Sequence, residues 1–398
     1  MSVGSHARVA FALVLALAAA RYGHDIVKAA VDEQQIDFGA YYASTLALWS
    51  GRDPFDPDPV RRGITTLGIP LTVSPPTFAP AGFLVFLPFV ALPYSLARLA
   101  WILLGQACLV VALTVLWRHL AHQPALGAAG LVVALNYQPV YEDVAVGNLN
   151  LVMLLLVTLG LAAQPPSRAV RAALPLSLAV NLKVHYAVLI PFLWWLGAPA
   201  AAWLTLVLAL AWSGLALLVF GASWLPGYVH FLAVGSANLH AWMRNLSPHA
   251  LLHRLFSVDG PQVFVDSAAV LFALLVAGAV LWTLRGTRGH DDGALVAAAL
   301  AVAAIPLATP LLEEHHLTVL LFPLLFAIGR AGALRNTRDV VCLIGAAVLL
   351  ASRYSPDSLL VFNRGLLSLA HAGKAFGAAL LAVVIARLAL KGRALPGD

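Results

Sequence analysis

The chain has 398 residues, of which 61% are hydrophobic and only 11% charged, and a formal net charge of +6. Its mean hydropathy is +0.88. Soluble domains carry about 25% charged residues, so a soluble enzyme, a nucleic-acid binder and a disordered scaffold are all excluded, and a polytopic membrane protein remains.

An apolar run of about 20 residues crosses a bilayer as a helix. In chain order such runs lie near 8–22, 99–117, 124–140, 149–163, 199–220, 264–285, 293–310, 316–329, 339–352 and 366–387. The first has Arg8 ahead of an apolar core, as a signal peptide does, but the later runs favour an uncleaved first helix. Phe78–Pro93, which holds Pro80, Pro88 and Pro93, reads as a helix on the membrane surface. Ala172–Trp195 is interrupted by Pro175, Asn181, Lys183, His185 and Pro191, and reads as a pair that enters and leaves on one side.

With those choices Arg8, Arg118, Arg168, Arg171, Arg285, Arg288, Arg330, Arg335, Arg338, Lys391 and Arg393 share the cytoplasmic side, as basic residues in short loops do. Arg244 and Arg254 run against this bias. The expected fold class is all-α: a polytopic transmembrane helical bundle of about 10–12 membrane helices, with both termini inside. Residues 1–398 form one integral membrane domain, in which 23–98 is the first extracytoplasmic loop and 221–263 a second large one. The excess of 24 Lys and Arg over 18 Asp and Glu then belongs to loops, with no nucleic-acid partner. Cys108 and Cys342 both sit in apolar runs and read as packing residues.

The polar residues fall where four outer loops are expected. Asp37 follows a polar stretch and opens a segment in which Tyr41, Tyr42 and Thr45 recur at helical spacing. A carboxylate there suits a helix cap, favoured by the dipole. It also suits a general base taking a proton from an acceptor hydroxyl. Asp53, Asp56 and Asp58, beside Pro54, Pro57 and Pro59, read as turn residues. Tyr141-Glu142-Asp143 and Gly147-Asn148-Leu149-Asn150 mark the next outer turn, Asn245-Leu246-Ser247 the third loop, and Glu313-Glu314-His315-His316 the fourth.

Ionisable residues near hydrocarbon mark function by default. Neighbouring side chains diverge on a helix, so His315 and His316 lack the spacing of a two-His metal site. Hydrogen bonding to a sugar or phosphate oxygen is the expectation for that pair, with interfacial solvation the plain alternative. Lys183 either neutralises a phosphate or snorkels to the interface. Arg98, Arg244, Arg254, Arg353 and Arg364 are further outer cations. Trp194, Trp195, Trp224 and Trp242 suit interfacial anchoring. A P-loop, a dinucleotide fingerprint, HExxH, CxxC and GxSxG are all missing, which leaves ATP-driven and nicotinamide-dependent chemistry without support.

In their order along residues 35 to 330, these motifs resemble glycosyltransferase family 87. Its best-known members are actinobacterial polyprenol-phosphate-mannose-dependent α-mannosyltransferases of the GT-C fold. The family's early acidic residue, Tyr-Tyr helix and Gly-x-x-Pro-Tyr-Asp turn look like Asp37, Tyr41-Tyr42 and Gly51-Arg52-Asp53-Pro54-Phe55-Asp56. Its Tyr-Pro-Pro helix looks like Ser74-Pro75-Pro76, its Gly-Gln-x-Asn turn like Gly147-Asn148-Leu149-Asn150, and its intramembrane Lys like Lys183. The family's Asn-x-Ser resembles Asn245-Leu246-Ser247 and its late His-His resembles His315-His316. Asn148 stands where Gln is usual, Phe55 where Tyr is usual, and the Pro common after the Lys is missing.

The resemblance implies a hexosyl transfer, with mannose the family's best-known sugar, from a polyprenyl-phosphate donor to a lipid or glycan acceptor on the extracytoplasmic face. Asp37 would be the catalytic base. Tyr41, Tyr42, Asn148, Asn150, Lys183, Asn245, His315 and His316 would bind donor or acceptor, with no metal and no cofactor beyond the donor itself. The alternatives are a transporter or flippase of a lipid-linked sugar, for which the broken segment around Lys183 speaks, and a non-catalytic subunit of an envelope complex. Abundant Ala, Leu and Arg with only Lys28, Lys183, Lys374 and Lys391 point to a GC-rich bacterium and its plasma membrane.

Overall fold

In lipid every backbone N–H and C=O must find its partner inside the chain, which leaves helices as the economical answer for long apolar runs. A computed structural model describes residues 5–32, 35–56, 65–66, 76–120, 124–163, 168–235, 244–256, 262–285, 287, 293–334, 336–353, 362 and 364–391, and among them there is no strand. Asp58, Ser74, Pro75, Trp242, Arg288, Arg335 and Arg393 lie outside the described residues.

The helices run α1 Ser5–Asp32, α2 Ile36–Trp49, α3 Gly82–Val90, α4 Tyr94–Leu120, α5 Pro124–Leu135, α6 Gln138–Val146, α7 Asn150–Ala162 and α8 Ala169–Leu182. After a 3-10 stretch at Val184–Val188 come α9 Leu189–Trp195, α10 Pro199–Phe220, α11 Leu225–Gly235, α12 Pro248–Phe256, α13 Gln262–Leu284 and α14 Gly293–Ala308. A second 3-10 stretch, Glu314–Leu320, leads into α15 Leu321–Gly329, followed by α16 Thr337–Ala351 and α17 Gly373–Lys391.

The structure is all-α and polytopic. Among the described residues five helices are long and apolar enough to cross a membrane on their own, within α1, α4, α10, α13 and α17. The remaining apolar helices are shorter, and the sequence shows why. The run 124–140 breaks after Leu135, because Pro139 in the first turn of α6 starts a new helix where a continuing one would lose a hydrogen bond. The run 316–329 opens as a 3-10 stretch. At the other extreme α1 runs on to Asp32, past the point where a loop is expected, and Arg21 pairs with Asp25 one turn along.

Ala172–Trp195 breaks at Lys183, whose backbone is extended. Both α8 and α9 pack on α10. Asn181, just before the break, donates to the Ala209 carbonyl at 3.1 Å and accepts from Ser213 Oγ at 2.7 Å, so the break is anchored where lipid would leave it unsatisfied.

An aromatic core holds α2 in place. Phe38 stacks on Trp101 at 5.6 Å, Phe86 meets Trp101 at 5.0 Å, and Tyr41 meets Phe86 at 4.7 Å. The segment expected on the membrane surface packs one face into this core, with Phe78, Phe83 and Phe86 buried and Pro88 exposed. Trp224 is likewise no interfacial anchor. It is 2% exposed, donates Nε1–H to the Gly221 carbonyl and stacks against Phe55 at 6.2 Å. Trp194, by contrast, is 53% exposed.

Candidate active site

Asp37 lies in the first turn of α2, but it is not the cap. Gln35 occupies that position in a left-handed conformation, and the Asp37 carboxylate turns toward the α6–α7 connection. There Asn148 Nδ2 donates to Asp37 Oδ2 at 2.7 Å and lies 3.2 Å from His315 Nε2. Asn148 Oδ1 accepts from Asn150 Nδ2 at 2.9 Å and from the Leu149 N–H at 2.7 Å. That arrangement fixes the amide's orientation. With one amide proton on Asp37 and the other on His315, the His315 ring offers an Nε2 lone pair and keeps its proton on Nδ1. His315 Nε2 is also 3.5 Å from Glu313 Oε2 and 3.9 Å from Asp37 Oδ2.

Two devices bring these loops together. Gly147 ends α6 with φ +70, and a Cβ there would stand 2.8 Å from Phe38 Cβ and 2.9 Å from Gln35 Cβ. Only glycine lets the turn approach α2 this closely. Trp101 Nε1 locks the turn by donating to the Gly147 carbonyl at 3.0 Å. On the other side, Tyr137 Oη donates to the Leu317 carbonyl and Thr318 Oγ1 to the Pro139 carbonyl, both at 2.9 Å. These two bonds tie the start of α6 to the stretch that carries His315 and His316.

Linked to Asn148 through Asn150 is a carboxylate that the sequence marks only as part of an outer turn, with no role of its own. Asp143 is 1% exposed and accepts three hydrogen bonds at the start of α7. The Asn150 N–H (3.1 Å) and Asn150 Nδ2 (2.8 Å) meet Oδ1, and the Leu151 N–H meets Oδ2 at 3.1 Å. It does the work of a helix cap from the preceding turn. Burial pushes its carboxyl up to about 7, against the pull of those bonds and of Lys183. Burial likewise raises Asp37 above the usual carboxylate range, opposed by the Asn148 bond, Lys183 and Arg244. The Asp37 side chain is still 30% exposed, so a substrate can reach it.

The other expected residues divide. Tyr41 is raised well above an ordinary phenol by burial and then by the charges of Asp37, Asp143 and Glu313. Tyr42 is turned away, donating to the Leu92 carbonyl at 2.8 Å. Lys183 sits within electrostatic reach of Asp37 and Asp143. Asn245 is fully buried and works as a brace. It donates to the Pro310 carbonyl at 2.9 Å and accepts the Ser247 and Leu312 N–H groups at 3.0 Å each. His316 Nδ1 accepts the Glu313 N–H at 3.2 Å within a reciprocal capping box. Ligand atoms of Glu313, His315 and His316 all lie within 4.8 Å of one another, a donor set able to hold a cation. Asp53 is a turn residue, its Oδ1 accepting the Phe55 N–H at 2.8 Å.

Fold and site together define an all-α integral membrane protein whose polar centre is assembled from separate connections of a helical bundle. The sequence model of glycosyltransferase family 87 matches residues 77–310, more than half of the chain, and the protein belongs to that family. It is therefore a membrane glycosyltransferase, and membership decides for an enzyme over the transporter alternative. The matched stretch contains Asn148, Asn150, Lys183 and Asn245, while Asp37, His315 and His316 fall outside it. No curated protein and no solved structure matches the chain.

Proposed function

We propose that the enzyme moves a hexosyl group, mannosyl foremost, from a polyprenyl-phosphate donor to a hydroxyl of a lipid or glycan acceptor. The observation that carries the reading is Asp37: a carboxylate open to substrate, oriented by Asn148, with Lys183 close enough to act on its charge. Asp37 takes the acceptor hydroxyl proton as the oxygen attacks the anomeric carbon. The new C–O bond forms on the face opposite the departing phosphate, so configuration inverts. The anomeric C–O bond breaks and polyprenyl phosphate leaves with the electron pair. Lys183 stabilises the phosphate charge as it develops, and His316 stands near it in the same role. Phosphate is already a good leaving group, so the reaction asks for no strong general acid, no metal and no cofactor.

The same reading sets the protein in a bacterial plasma membrane with both termini in the cytoplasm and this site on the extracytoplasmic face. There lipid-linked donors are available and nucleotide sugars are not. The donor tail lies between helices beside the break at Lys183. The test is transfer from radiolabelled polyprenyl-phosphate mannose to a membrane-lipid extract by purified protein in lipid, comparing wild type with Asp37→Asn. Transfer that disappears in a folded Asp37→Asn protein supports both donor and base. Equal transfer by both proteins removes Asp37 from the mechanism, and no transfer by either points to another donor sugar.

A further inference from the structure

Away from Asp37, α12 presents a second cluster. His249 and His253 are four residues apart on this helix, a spacing that puts both side chains on one face. Their rings lie 4.8 Å apart at 71°, and their Nε2 atoms are 3.2 Å apart. Both Nε2 atoms meet the same oxygen of α13's Asp266, at 2.8 Å from His249 and 2.9 Å from His253. Three ligand atoms on two helices thus converge on one point. His253 is 3% exposed, whereas the Asp266 side chain is 43% exposed, so the point is walled on the histidine side and open to solvent on the carboxylate side.

We propose that His249 Nε2, His253 Nε2 and Asp266 Oδ1 form a Zn2+ site that clamps α12 to α13. Two imidazoles and one carboxylate suit Zn2+, whereas Ca2+ and Mg2+ take oxygen ligands. Tetrahedral Zn2+ with bonds of about 2.0 Å sets its ligand atoms roughly 3.3 Å apart. The three separations here are 2.8, 2.9 and 3.2 Å, so the ligands part by only a few tenths of an ångström to admit the ion. Without an ion, two N–H donors crowd one carboxylate oxygen and face each other's nitrogen. With Zn2+ bound, each ring carries its proton on Nδ1 and turns a lone pair to the metal, and the fourth position is left to water. The clamp bears on the catalytic face through chain continuity. α12 begins directly after Asn245 and Ser247, which are hydrogen-bonded to Pro310 and Leu312 at the root of the Glu313–His316 stretch.

The test uses the full chain without an affinity tag, in detergent, stripped with chelator and equilibrated with micromolar Zn2+. One zinc per chain is expected in wild type and in His315→Gln, with more than tenfold weaker binding in His249→Gln and Asp266→Asn. Failure of wild type to retain zinc overturns the proposal. Loss of zinc in His315→Gln with retention in His249→Gln also overturns it, since the ion would then belong to the Glu313–His315–His316 cluster. Hydrogen exchange on wild type covers the case of a variant that does not fold. Zn2+ should slow exchange in 248–256 and 262–266, and unchanged exchange there sinks the site. None of these readouts depends on the sugar-transfer reading.

Discussion

Lys374, on α17, braces the Glu313–His316 stretch: its Nζ lies 2.8 Å from Glu314 Oε1, next to His315. The ammonium is 4% exposed and also donates to the carbonyls of Leu350, at 2.8 Å, and Ser352. One cation thus fastens α16, α17 and the Glu313–His316 stretch together. A span that carries no motif in the sequence acquires a role in this way.

Removing one partner of a buried pair leaves the other charge uncompensated, at about 3–5 kcal/mol. Lys374→Met is expected to destabilise the protein by that order, read by thermal or denaturant unfolding in detergent. Adding Glu314→Gln should recover part of the loss. Additive losses in the double variant would show that the two groups are not coupled.

With Asp37 as the proposed base, its ionisation should set the acid limb of the pH–rate profile. Burial raises its carboxyl above the ordinary carboxylate range, and a base must be ionised to act, so kcat/KM should climb with pH through an apparent pKa raised in the same direction. The Asn148 hydrogen bond opposes that rise, so Asn148→Ala should move the limb to still higher pH. It should also lower kcat/KM by roughly 10–100-fold, the value of about 1.5–3 kcal/mol for a hydrogen bond to a charged group. Lys183→Met should shift the limb in the same direction, because Lys183 favours the ionised form. A limb that stays put in both variants would assign it to another group.

Gly147→Ala tests the close approach of α2 and the α6–α7 turn. The added methyl would meet Phe38 Cβ at 2.8 Å and Gln35 Cβ at 2.9 Å, on a backbone with φ +70. Overpacking alone costs about 1–3 kcal/mol, with left-handed strain added to it. The variant should lose stability and separate Asn148 from Asp37, lowering activity even where it remains folded. Wild-type unfolding and turnover would show that the turn can move aside.

How much of this is legible in the sequence depends on the kind of residue. Asp37, Asn148, Asn150, His315 and His316 lie in short polar stretches between apolar runs, where a polar side chain stands out, and the structure brings all five together. Asp143 and Lys374 are as polar, but their partners lie across turns or far along the chain, and pairing is decided only by packing. Tyr42 shares the helical spacing of Tyr41, yet its hydroxyl goes to Leu92, because adjacent residues point to different faces of α2. The His249–His253 spacing can be read directly, while Asp266 joins them only when α12 packs on α13. Helix ends are less legible than helix existence. The break before Pro139 follows from proline chemistry, whereas the length of α1 depends on contacts such as Arg353 with Asp25.

Asp143 gives stability a pH dependence of defined sign. Its carboxyl is raised from 3.8 to about 7 in the folded protein, so between those values the native state holds a proton that the unfolded chain has released. Stability from this group is complete below the unfolded value, falls as pH rises toward 7 and is level above it, with a slope of at most about 1.4 kcal/mol per pH unit. Other carboxylates titrate over the same range, so the comparison to make is with Asp143→Asn, which keeps the shape and lacks the titration. Unfolding free energies measured from pH 4 to 8 should show wild type losing ground to Asp143→Asn up to about pH 7 and running parallel to it above. A constant difference across the range would mean that Asp143 stays ionised in the folded protein, held by its three hydrogen bonds and Lys183 despite its burial.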